Sequence, residues 1–111
     1  MQQLGSSGEN AMKDLNWGMA TPEAYDDVNK VALHVLNVFL SGDVNRNRVI
    51  KFTVARILHL NKHLPKGSSQ RVRFDLRGQL VSDENLELAR QAIVQAAGNH
   101  GIQASVEFLT N

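Results

Sequence analysis

Between residues 71 and 77 the chain alternates charged and apolar residues without a break: Arg71-Val72-Arg73-Phe74-Asp75-Leu76-Arg77. A strand sends successive side chains to opposite faces. Val72, Phe74 and Leu76 are therefore expected in a core, and Arg71, Arg73, Asp75 and Arg77 on the other face. Three guanidinium groups on one sheet face repel one another unless something anionic meets them. This stretch implies a strand with one buried side and one side suited to a polyanion.

The 111 residues suffice for a single domain with a modest core. The net charge of +1 conceals a strong asymmetry. Residues 1–43 hold two Lys against six Asp/Glu, a balance of −4. Residues 44–77 hold nine Lys/Arg against one Asp, a balance of +8. Residues 78–111 hold one Arg against four Asp/Glu, a balance of −3. A basic middle between acidic flanks matters more than the mean, because local potential steers a charged ligand. The chain has no cysteine, which excludes a disulfide scaffold and thiolate metal sites. No apolar run reaches the length of a membrane span, and no signal peptide is visible.

The fold class expected is α+β, with N-terminal helices followed by a small sheet and a C-terminal strand-helix-strand unit. Residues 1–20 read as a flexible lead with a short helix over Asn10 to Met19, and residues 21–111 as one α+β domain. Trp17 is expected as a lid on the core. Thr21-Pro22 reads as a helix start, and Tyr25, Val28, Ala32, Val35, Leu36 and Phe39 recur at helical spacing until Ser41-Gly42. His34 falls on the polar side of that helix, where a solvated role is expected. A second helix is expected from Val44 to Leu64, stopping before Pro65. One side carries Val49, Ile50, Val54, Ile57 and Leu60. The other carries Arg48, Lys51, Arg56, His59, Lys62 and His63, with Asn45 and Phe52 among them. No carboxylate interrupts this set, whereas a merely solvated face mixes both signs. After the strand, Ser82 is an N-cap with Asp83 and Glu84 in the first turn, and Leu86, Ala89 and Ile93 give the buried side of a third helix. Ile102 to Leu109 reads as the last strand, parallel to its predecessor because a crossover helix joins them. Two strands make a thin sheet for three helices to cover.

His59 and His63 stand four apart on one helix, a spacing that can hold zinc. The residue after the first is Leu60 rather than glutamate, and Arg56 and Lys62 repel a cation, so neither metal nor other cofactor is expected. Phosphate-binding glycine loops and the nucleophile elbow of serine hydrolases are absent. Metal-independent phosphodiester cleavage of RNA fits what remains. It needs a base for the 2′-hydroxyl proton, an acid for the leaving oxygen and cations for the charge on phosphorus. Glu107 is the expected base, and one of His59, His63 or His100 the acid. Arg73 and Arg77 would hold the phosphate, and Arg48, Lys51, Arg56, Lys62 and Arg71 would bind RNA elsewhere. Alternatively, Glu107 simply pairs with a neighbouring Arg across the strands.

The run VRFDLRG from Val72, the helix opened by Ser82 and Glu84, and the closing VEFLTN resemble the C-terminal elements of bacterial polymorphic toxin tips, of the contact-dependent growth inhibition (CdiA) and Rhs kinds. Many such tips have a barnase-, EndoU- or RelE-like ribonuclease fold. The resemblance covers about the last forty residues. It implies a ribonuclease toxin directed at transfer RNA, secreted or delivered at the cell surface. It would act in the target-cell cytoplasm and be neutralised by a cognate immunity protein. The competing reading is a non-catalytic nucleic-acid-binding or protein-interaction module built on the same basic helix and strand.

Overall fold

The computed structural model describes residues 24–111. In chain order these residues form β1 (Ala24–Asp26), β2 (Val31–Asn37), α1 (Asp43–Asn61), β3 (Ser69–Asp75), α2 (Asp83–Asn99) and β4 (Ala104–Leu109). The four strands make one sheet in the order β1-β2-β3-β4. β1 is antiparallel to β2, and β2, β3 and β4 run parallel. The described residues are α+β, with two helices and a mixed sheet. The short helix over 10–19, the lid role of Trp17 and the Thr21-Pro22 cap lie outside the described residues.

The largest departure from expectation is residues 24–37, which form two strands rather than a core helix. Asp26 accepts hydrogen bonds from the backbone N–H groups of Val28 and Asn29, at 3.0 and 3.2 Å, making an Asx turn where a first helical turn was expected. Lys30 completes the reversal with φ of 57°. Beyond it Ala32 and His34 are buried, while Val31, Leu33, Val35 and Leu36 are only partly so. A short apolar run fits both helical and strand periods. Position decides between them here, because β2 pairs with β1 on one side and β3 on the other. These are the strands that the thin two-stranded ribbon lacked.

Both helices lie where expected. α1 buries Val49, Thr53, Ile57 and Leu60, and Gly42, with φ of 81°, precedes its first turn. The glycine thus opens one helix instead of closing another. Ser82 caps α2, its hydroxyl accepting from the N–H of Asn85 at 3.1 Å. Both helices cover the same side of the sheet. Val72, Phe74 and Leu76 pack in one cluster with Val49 and Ile57 of α1 and Ala89, Ile93 and Ala97 of α2. The buried alanines let the α2 backbone approach the sheet closely. Asn85 joins the two βα loops: its amide donates to the carbonyl of Leu40 and accepts from Arg46 Nη1.

Candidate nucleic-acid interface

The register of the parallel strands fixes the sheet's second side. Leu33, Arg71 and Ser105 form one row, Val35, Arg73 and Glu107 the next, and Asn37, Asp75 and Leu109 the third. The alternation read from Arg71 to Arg77 places Arg71, Arg73 and Asp75 on this side, opposite the core side chains Val72 and Phe74. Arg77 lies just past the strand end. The row is largely self-neutralised. Arg73 Nε donates to Glu107 Oε2 at 2.5 Å, with both side chains partly exposed. Arg77 grips Asp75 through Nε at 3.0 Å and Nη2 at 2.8 Å. Those hydrogen bonds hold the Asp75 carboxyl down to about 2, with the guanidinium charge adding to the effect. Arg71 is exposed and makes no ion pair among the described residues.

The residues named for catalysis do not converge. α1 packs its apolar side on the Val72/Phe74 side of the sheet, so its polar flank points away from Glu107 and Arg73. His59 and His63 lie on that flank with their rings in edge contact, centroids 5.4 Å apart. His100 ends α2 at the N-terminal rim of β4. Arg77 stands at the opposite rim, about 20 Å away for strands of this length. The base Glu107, the three candidate acids and the Arg73/Arg77 pair therefore cannot share one phosphate. Glu107 is instead the cross-strand partner of Arg73.

The flank of α1 is the more cationic surface. Arg48, Lys51 and Lys62 are exposed and make no ion pair among the described residues. Phe52 sits in their midst, 53% exposed. No carboxylate occurs from Val44 to Phe74. Arg46 does not contribute to this surface, since it is held by Asp43 and Asn85.

Arg56 is anchored from beneath by the histidine that was expected in solvent. His34 is 1% exposed on β2. Arg56 Nε–H donates to His34 Nδ1 at 3.1 Å, so Nε2 carries the proton and donates to Gln70 Oε1 at 2.8 Å. Gln70 Nε2 donates to the Ile57 carbonyl at 3.1 Å. This chain of hydrogen bonds ties β2, β3 and α1 together. Burial lowers the His34 pKa to about 4, and the Arg56 charge pushes the same way. The imidazole is neutral at pH 7.

At the C-terminal rim, Asn37, Phe39, Asp75, Arg77 and Gln79 line a cleft of about 260 Å³. Phe39 was expected in a buried helical stripe but is 71% exposed. Among the described residues no group of three or more His, Asp or Glu is placed to hold a metal ion. Nor is any described helix long and apolar enough to cross a membrane. Comparison with protein-family models, with curated proteins and with solved structures finds no match to this chain.

Proposed function

We propose that this domain binds RNA through the outward flank of α1. The observation that carries the reading is the exposed set Arg48, Lys51 and Lys62 around Phe52, in a segment of 31 residues, 44–74, without a carboxylate. A polyanion neutralises like charges that otherwise repel, and an exposed aromatic among cations suits contact with unpaired bases. Cleavage needs a base and an acid at the same phosphate; His59 and His63 lie on the α1 flank and His100 at the N-terminal rim, apart from Glu107, so binding is the better supported part of the ribonuclease reading. The resemblance to toxin tips adds a setting: transfer RNA as target, and an immunity protein that competes with RNA for the same flank.

Replacing Arg48, Lys51 and Lys62 together by Gln is expected to lower affinity for a labelled single-stranded RNA at least tenfold. The slope of log K against log salt should flatten by about 2, at roughly 0.7 for each phosphate that a side chain no longer neutralises. Fluorescence anisotropy between about 50 and 200 mM salt reads both quantities. An unchanged slope contradicts the proposal. Total RNA incubated with the protein in EDTA should stay intact; a new cut end would restore the cleavage reading.

A further inference from the structure

We infer that the rim cleft is a stacking subsite for one unpaired base of the bound RNA, with Phe39 as the platform. The inference rests on the proposal that RNA is the ligand, and adds that the ligand is single-stranded there. A single exposed phenylalanine is unremarkable by itself. This one is built into place. Its two chain neighbours are anchored, Leu40 with no exposure at all and Val38 packed against the core. One side chain clasps the backbone on both sides of it. Gln79 Nε2 donates to the Val38 carbonyl and Gln79 Oε1 accepts from the Leu40 N–H at 3.1 Å. The chain between these anchors turns the ring outward instead of letting it collapse onto the core.

The polar groups around the ring suit a nucleotide. The Asn37 amide, exposed and without a hydrogen bond among the described residues, offers both donors and an acceptor to a base edge. Arg77 spends two of its five N–H groups on Asp75, which fixes the guanidinium plane at the mouth of the cleft. The other three N–H groups are available to a phosphate. Only Leu40, Ser41 and Gly42 separate Phe39 from α1, and Arg48 lies about 9 Å along the helix from Gly42. The cleft and the first turns of α1 therefore lie at the same rim of the sheet.

Phe39→Leu keeps an apolar side chain and removes the aromatic face. Its affinity for a short single-stranded RNA should fall about 5- to 100-fold, the range for losing one base–aromatic stack. Affinity for a duplex of the same length should not change, and Phe39→Trp should restore single-strand binding. Because the ring is exposed, the variant should melt at the wild-type temperature, which circular dichroism checks. Equal single-strand affinity in Phe39→Leu and wild type overturns the subsite. If the Arg48/Lys51/Lys62 variant has meanwhile lost affinity, the RNA reading of α1 survives that failure. If neither set of changes alters binding, both fail. A dimer in sedimentation that Phe39→Leu abolishes, with RNA affinity unchanged, would assign the cleft to a second copy of the chain and also overturn the inference.

Discussion

Phe74→Ala lowers the unfolding free energy by about 3–5 kcal/mol, the range for truncating a fully buried aromatic ring. Phe74 has no exposure, stands on the central strand β3 and stacks on Phe108 with ring centroids 5.8 Å apart. Its cluster joins β3 to both helices. For a domain whose total stability lies at about 5–15 kcal/mol, a loss of that size leaves a large unfolded population. Phe108→Ala should cost less, since β4 is an edge strand and that ring is only partly buried. Urea unfolding of the two variants compares them directly. Equal losses would mean that β3 is not the centre of the core.

The second large effect is the response to acid. His34 is neutral in the fold, with its pKa lowered to about 4 from 6.5. The unfolded chain therefore takes up its proton first as the pH falls. Stability from this group is complete above about pH 6.5 and drains away down to about pH 4, a loss of about 3 kcal/mol. Protonation would also set an imidazolium against the Arg56 guanidinium that donates to Nδ1. His34→Gln should be less stable at neutral pH, because Gln70 and Arg56 lose a partner shaped to both. Its stability should fall less steeply than wild type between pH 6.5 and pH 4. Unfolding titrations at pH 7, 5.5 and 4.5 read the difference, in which the three other histidines and the carboxylates cancel. Parallel pH curves for the two proteins would show that the buried imidazole is not what acid attacks.

Local periodicity carried most of what could be read in advance. β3 was legible because charge and apolarity alternate with period two over seven residues, a pattern no helix can bury. α1 and α2 were legible because their apolar residues repeat at helical spacing and Ser82 marks a start. β1 and β2 were not, because Tyr25 to Phe39 satisfies both periods and the Asx turn at Asp26 uses the same acidic residues as a helix start. The strand identity of β2 comes from partners on both sides, which no local pattern encodes. The candidate site failed for a different reason. Arg73 lies on the charged side of β3, but Arg56 is held from beneath by the buried His34. A helix that buries Val49 and Ile57 against Val72 and Phe74 turns Arg48, Lys51 and Lys62 away from the sheet, while Arg56 reaches back to His34 on β2 and the arginine row of β3 lies on the far side. That exclusion follows from layer packing. Phe39 gave no signal of its own. Only its place between two anchored residues, Val38 and Leu40, sets it apart.

Mapping RNA binding onto the backbone tests the central claim most directly. Amide resonances of the isotopically labelled protein are followed by NMR as a short single-stranded RNA is added. The shifts should concentrate on the turns of α1 that carry Arg48, Lys51, Phe52, His59 and Lys62, extend to Phe39 and Arg77, and spare Arg71, Arg73 and Glu107. Shifts centred on the Arg71–Arg73–Glu107 side of the sheet, with α1 silent, would contradict the account.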